Sequence, residues 1–527
     1  MSIRAARICV FAIVIAGGFT FAHAAVANIV FTVNTTDDGV DAAPGDGTCS
    51  TSLVTPAPPN TCTLRAALME ANRTTGAGAT IMLPAGLYKL AIGAHDADGE
   101  DNGDLNLSVP SGYTPGPTTI TGAGAAVTII DAQQIDRVLT VDSNRTASIS
   151  GVTFRNGFTV GNGGGINNAG ILTLTGSTLS TNSALYGGGI YNGGHIFASY
   201  CTLSGNIALP SHGGGGGIYV GTDSTAVIDH CTLSGNISDG YGGGIDNESL
   251  LEISYSTLNG NSAAKVGGGG IFNFATVTVE HSTLSDNIAA FGGGICSEKG
   301  TGSVSQTTIS GNTAQAYNAG LPGIGGGIYA FGSALTVTDS TIALNNADAK
   351  GGGIYSDTGP VYNVNVYSST IAYNGAASLG GGIFLNGTDD NGFNVYNTIL
   401  AENFENNFFG QWDDCTAGNN GTSTGVLKTH ARNLFGNGIN CTIAAVSGSY
   451  ATLNPLASLG SLQNNGGPTQ TIALLAGSNA IDGTSVTGSI CGDASVLLLV
   501  DQRGYPRTDA CDVGAFEYDD IFIGGFE

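Results

Sequence analysis

Carboxylates and imidazoles meet in only a few combinations along this chain that could do chemistry. Val227-Ile228-Asp229-His230 sets an acid beside a base, as general acid–base catalysis requires, and makes Asp229 and His230 the catalytic candidates. Asp389-Asp390 and Asp413-Asp414 are adjacent carboxylates, which glycoside cleavage can use but which Gly/Asn-rich loops also use to form turns. Between His95 and Asp104 stand Asp96, Asp98, Glu100, Asp101 and Asp104, an oxygen density suited to a structural Ca²⁺. It is not an EF-hand loop: the sixth position from Asp96 is Asp101 rather than Gly, and the twelfth is not Glu. No Cys/His spacing fits Zn²⁺, and the glycine runs lead into strand-like segments rather than helices, against a phosphate loop. Tyr200, His230, Tyr255 and His281 recur at one phase of a repeat, so an outward ring column could stack sugars or pack on itself.

The elements that carry these residues are repeats. Nine glycine runs end in Ile166, Ile190, Ile218, Ile245, Ile271, Ile295, Ile328, Ile354 and Ile383, at steps of 24 to 33 residues. Eight are answered by a Ser/Thr-aliphatic-x-x-Asn phrase, from Leu179 and Asn182 to Ile371 and Asn374, and the ninth by a phrase one residue longer, from Ile399 to Asn403. Between them lie period-two runs such as Ile171 to Thr175, Ala226 to Asp229 and Leu335 to Thr338, the signature of strands. No unit holds a ten-residue amphipathic stretch, so helical repeats are excluded. About 27 residues divide into three short strands and three turns, one coil of a solenoid. The expected fold is an all-β, right-handed, single-stranded parallel β-helix. Its isoleucines and leucines should stack inward, and Asn206, Asn236, Asn261, Asn287 and Asn312 should form an internal amide ladder. Along that stack Asp229 aligns with Ser199, Ser254 and Glu280, and His230 with Tyr200, Tyr255 and His281, so the pair varies as a surface column would.

Composition points outside the cell. Arg4 and Arg7, the apolar run Ile8 to Phe21 and Ala22-His23-Ala24 read as a signal peptide over residues 1–24. No later segment is apolar enough to span a bilayer as a helix. Removing the leader leaves 13 basic against 40 acidic residues, a net charge of −27, which excludes nucleic acid and anionic membrane as direct partners. Extracellular glycan or a surface protein remains. An oxidising destination suits the local pairs Cys49 with Cys62, Cys415 with Cys441 and Cys491 with Cys511. Cys201 and Cys231 share one repeat position, as a bridge or a buried thiol stack, and Cys296 is the odd one.

The flanks carry the family resemblances. Residues 25–117, with Thr32-Val33-Asn34-Thr35-Thr36-Asp37-Asp38-Gly39 and Cys62-Thr63-Leu64-Arg65-Ala66, resemble the CSLREA domain of secreted bacterial proteins. Thr63 and Ala66 depart from its naming motif. Residues 62–72 read as a short helix able to cover the first coil, where an open solenoid end would expose unpaired strands. The repeats of 118–410 are similar to the polymorphic outer-membrane protein repeat. Residues 411–527 resemble the choice-of-anchor Q domain through Asn465-Gly466-Gly467-Pro468-Thr469, Asp501-Gln502-Arg503-Gly504 and Asp512-Val513-Gly514-Ala515-Phe516-Glu517, and should cap the other end. The tail Asp519 to Glu527 resembles a C-terminal sorting signature of exported bacterial proteins. These resemblances imply a cell-envelope or secreted β-helix, outer-membrane-associated or free, and no settled activity.

Val227 to His230 also resembles an Ile-Asp-His phrase of pectate lyases, which share the pectin-lyase-like β-helix. Uronate-cleaving chemistry needs basic residues to hold the substrate, and few lie in the repeats. The reading that follows is a binding or structural, adhesin-like protein. The alternative is a polysaccharide lyase or glycoside hydrolase. An autotransporter barrel would need more alternating strands than the segment after 417 offers.

Overall fold

The computed structural model describes residues 28–518 apart from 52–60, 94–98, 211–212, 318–319, 358–361, 387–391, 406–411, 419–424, 447–449, 454–456, 483–498 and 508–510. Its strands assemble into four parallel sheets that wind as a parallel β-helix, with one separate antiparallel pair, Leu459–Gln463 and Thr471–Leu474. One coil shows the order: Ile171–Thr175 in the first sheet, Thr178–Ser180 in the second, Ser183–Ala184 in the third and Ile190–Asn192 in the fourth. The expected coil had three strands; the two-residue strands of the third sheet make a fourth side. They were invisible to a period-two reading because two residues show no period.

Register is strict. Ile166, Ile190, Ile218, Ile245 and Ile271 pair rung on rung, as do Leu179, Leu203, Leu233, Leu258 and Leu284. All ten side chains are sealed from solvent. Fully burying such an aliphatic is worth roughly 1.5–3 kcal/mol, so two columns supply much of the stack's cohesion. The glycine runs let the backbones meet. A Cβ on Gly216 would stand 2.5 Å from the carbonyl oxygen of Gly243 in the next coil.

The stack is longer than the repeats. Strands Ile29–Thr32 and Ala79–Leu83 open the first sheet, and Val426–His430 and Thr442–Ala445 close it. The segments expected as separate caps thus begin and end the solenoid itself, because ladder pairing needs extended backbone, not the glycine phrase. The helix Leu64–Ala71 packs on the opening strands, its first turn closed by Thr63 accepting from the Ala66 amide. Cys49–Cys62 and Cys415–Cys441 are disulfides. Cys511 is disulfide-bonded, while Cys491 lies outside the described residues. Residues 1–24 and the tail from Asp519 also lie outside them. Among the described residues no helix is long and apolar enough to cross a membrane.

Candidate functional site

The amide ladder is the most regular side-chain feature. Asn261 shows one rung: its Oδ1 accepts from the Asn236 amide at 3.0 Å and from Asn236 Nδ2 at 2.9 Å. Its Nδ2 donates to Leu233 O at 3.0 Å and to Asn287 Oδ1 at 2.9 Å. Both donors and both acceptor positions are satisfied, as a buried amide requires. The pattern joins Asn182, Asn206, Asn236, Asn261, Asn287, Asn312, Asn345, Asn374 and Asn403. It ends on Asp414, whose Oδ1 accepts from both the Asn403 amide and Nδ2 at 2.9 Å. A carboxylate accepts but cannot pass a proton on, so it terminates the run. Burial raises Asp414 to about 6. Its neighbour Asp413 accepts from the Gly380 amide and the Thr416 hydroxyl. Asp413-Asp414 is therefore structural, and Asp389-Asp390 lies outside the described residues.

The cysteines at 201 and 231 occupy a second inner column. There the Cys201 amide donates to Cys231 Sγ, the Cys231 amide to Ser256 Oγ and the Ser256 amide to Ser282 Oγ. Both are free thiols standing where other coils place a hydroxyl. Cys296 is a third buried thiol, in the fourth sheet.

The described part of the acidic stretch, residues 99–104, lies against a guanidinium. Arg65 pairs with Asp38 at 2.7 Å and donates to the carbonyls of Gly103 at 2.8 Å and Asp104 at 3.0 Å. Glu100 pairs with Arg73 at 2.7 Å, and Asp104 accepts from Thr140 and Asn106. Burial drives the Asp104 carboxyl up to about 7. Asp101 is exposed, while Asp96 and Asp98 lie outside the described residues. The backbone carbonyls of Gly103 and Asp104 thus point at Arg65. Glu100 and Asp104 are drawn to separate partners, and among the described residues no three His, Cys, Asp or Glu side chains gather as a metal set.

Asp229 and His230 do meet. His230 Nδ1 lies 2.8 Å from Asp229 Oδ2, and Ser254 Oγ donates to Asp229 Oδ1 at 2.7 Å. The imidazole is stacked between Tyr200 and Tyr255, with ring centroids 4.9 Å away on each side. His281 continues the stack 4.6 Å beyond Tyr255. All four residues have positive φ, between 46° and 55°, at the sharp turn from first to second sheet. Tyr200 and Tyr255 are 63% and 47% exposed, so the column faces out. The rings face one another, however, so within the column they offer solvent their edges rather than sugar-stacking faces. Burial lowers the pKa of His281.

A face grows around these rings. In each coil the ring is followed by an inward residue, an outward Thr, an inward aliphatic and an outward Ser or Asn. The result is a column of Thr202, Thr232, Thr257 and Thr283 beside a column of Ser204, Ser234, Asn259 and Ser285. Neighbouring rungs are about 4.8 Å apart. Beside it, the outer side of the first sheet carries Asp229, Glu252 and Glu280, the last two lining a shallow groove of about 270 Å³. Across Ile171–Ser305 the first-sheet strands contain His195 but no Lys or Arg.

The same face is occupied farther along. The ring column continues as Gln306, Asp339, Ser368 and Asn397, the Thr column as Thr308, Thr341 and Thr370, and the outer column turns to Ala343, Ala372 and Ala401. Over these lies the C-terminal segment. Arg507 pairs with Asp339 and Glu517 at 2.9 Å each, buried. Asn397 donates to Asp512 O, and the Ala515 amide to Thr370 Oγ1. Ala457, Leu459, Ile472, Leu474, Val513 and Phe516 seal against Ala343, Ala372, Ile399 and Ala401. Gly514 (φ +103°) passes so close that a Cβ would stand 2.8 Å from Ile399 Cδ1. The described part of this segment therefore lies along the flank of the later coils instead of only capping the end. Cover begins on the coil of Gln306 and Thr308, and one coil later the outer Ser gives way to Ala343, a signal legible in the sequence as the change from Thr-Ile-Ser to Thr-Ile-Ala.

No protein-family model and no curated protein matches the chain. Among solved structures it is similar to pectate lyase Pel9A at 12% identity, covering 92% of this chain and 98% of that one, with a TM-score of 0.36. It is also similar to the A-module of the Azotobacter vinelandii mannuronan C-5 epimerase AlgE4 at 15% identity, covering 74% and 94%, with a TM-score of 0.34. At these identities the likeness concerns the β-helix alone.

Proposed function

We propose that this is an exported bacterial β-helix, secreted or held at the cell surface or outer membrane, that binds an extracellular polymer without cleaving it. In this reading residues 1–24 are a signal peptide. A CSLREA-like start and a choice-of-anchor-Q-like end flank polymorphic-outer-membrane-protein-like repeats. The observation that carries it is the long polar face of rings, Thr and Ser left open between Tyr200 and Ser285, while the chain's own C-terminal segment covers that face from Gln306 onward. Rigid, regularly spaced hydroxyls suit an extended glycan or surface polymer, with weak contacts per coil adding along the solenoid.

The competing reading, a polysaccharide lyase or hydrolase, would use Asp229 and His230 or the acids of the neighbouring groove. Against it, both Asp229 oxygens are engaged by His230 and Ser254, and the adjoining sheet offers a uronate acids instead of cations. The test is a glycan array together with a lyase and hydrolase screen on the chain from residue 25. Binding without turnover, with or without Ca²⁺, is the expected result. Uronate cleavage that disappears in Asp229→Ala or His230→Ala would hand the protein to the enzymes.

A further inference from the structure

The covered half of the face shows what its threonine column recognises. Gln502 bridges two successive rungs: its Nε2 donates to Thr308 Oγ1 at 3.0 Å, and its Oε1 accepts from Thr341 Oγ1 at 2.6 Å. One rung on, the Ala515 amide donates to Thr370 Oγ1 at 3.1 Å, and Thr308 in turn donates to the carbonyl of Gln470. Each half of an amide, the N–H and the C=O, is thus met by a hydroxyl of this column, and neighbouring rungs are spaced to hold both halves of one amide. In register above them, Thr202, Thr232, Thr257 and Thr283 present the same hydroxyl from the same backbone. Among the described residues these hydroxyls have no hydrogen-bond partner.

The two halves differ in what surrounds the column. Where the C-terminal polypeptide docks, the outer column is the buried Ser310 at the first covered rung and alanine from Ala343 on, and an apolar cluster closes over the alanines. Where the face is open, that column is Ser204, Ser234, Asn259 and Ser285, and the other flank is the exposed edge of the Tyr/His stack. A polypeptide would find the amide contacts there but not the apolar seal that a protein interface core needs. A polymer carrying amides among hydroxyls would find partners for both. The acids beside it, Asp229, Glu252 and Glu280, disfavour a polyanion.

Resting on the binding role set out above, we propose that the open threonine column takes the acetamido groups of a neutral N-acetylated glycan, its sugar hydroxyls meeting the Ser/Asn column and the ring edges. Titration of the chain from residue 25 with a β-1,4-linked N-acetylglucosamine hexamer, against a glucose hexamer of the same linkage, tests it. The acetylated oligomer should bind, and the glucose oligomer should bind at least about tenfold more weakly, the worth of one good hydrogen bond. Thr232→Val with Thr257→Val removes two hydroxyls at constant shape from an exposed strand face. It should weaken the acetylated oligomer by about tenfold per hydroxyl, leave the melting midpoint unchanged, and leave Thr173→Val as an unaffected control. A second readout is the imidazole proton signals of His230 and His281, which should move only with the acetylated oligomer. Equal binding of both oligomers, acetylated binding that survives the double substitution, or preferential binding of an extended peptide would overturn the acetamido assignment alone. Failure of every glycan on the array would overturn the binding role with it.

Discussion

Replacing Asn261 by Ala in the middle of the ladder removes four side-chain hydrogen bonds at once. Two donors, the Asn236 amide and Nδ2, lose the Asn261 Oδ1 they reach at 3.0 and 2.9 Å. Two acceptors, Leu233 O and Asn287 Oδ1, lose the Asn261 Nδ2. At a net value of roughly 1 kcal/mol per bond, the cost is about 4 kcal/mol, and more where a donor stays buried and dry. A solenoid spreads such a loss locally, so a single global midpoint would understate it. Amide hydrogen exchange is the sharper assay. Protection of the coils from Cys231 to Ser285 should fall by about a thousandfold, at 1.4 kcal/mol per decade, with coils near Ile166 unchanged. Asn261→Asp gives the matching control. Like Asp414, it accepts from the preceding rung, but as a carboxylate it turns oxygens toward Leu233 O and Asn287 Oδ1. Its folded pKa must therefore rise, and the variant should lose stability as pH climbs from about 4, the ordinary carboxylate value. Unaltered exchange in Asn261→Ala, or an Asn261→Asp protein indifferent to pH, would refute the ladder as a source of cohesion.

Arg507→Met leaves Asp339 and Glu517 buried without their cation, a loss of about 3–5 kcal/mol. Limited proteolysis should then release the C-terminal segment while the coils from Ile166 to Ser285 stay resistant. Burial raises Asp104 and Glu517 to about 7, and Asp339 and Asp512 to about 6. The folded state thus holds more protons than the unfolded one between about pH 4 and 7, and stability should fall as pH rises through that window. A melting midpoint that climbed from pH 5 to pH 8 would contradict it. Peptide mapping without reduction should recover Cys49–Cys62 and Cys415–Cys441 as bridges in exported protein, Cys511 joined to Cys491, and Cys201, Cys231 and Cys296 as thiols.

Much of this was legible in order along the chain, because a solenoid makes neighbours in space out of equivalents in sequence. The Ile and Leu columns, the Asn rungs and the ring column Tyr200, His230, Tyr255 and His281 all follow once the repeat is aligned, since strand parity sends alternate residues in and out. The helix after Cys62 was readable for a local reason, an unbroken run of helix-forming residues from Leu64 to Ala71. What repetition could not decide was everything that depends on non-equivalent parts of the chain meeting. That Arg65 would gather the carbonyls of the acidic stretch, that Asp414 would end the ladder, and that Gln502 and Arg507 would settle on Thr341 and Asp339 are contacts made across long loops. Their partners share no periodicity, so only the closed tertiary structure brings them within hydrogen-bond reach. The ring column shows both sides at once. Its outward direction came from parity, but whether it offered faces or edges to solvent depended on the rise between coils, which at about 4.8 Å is near the separation at which aromatic rings pack on one another.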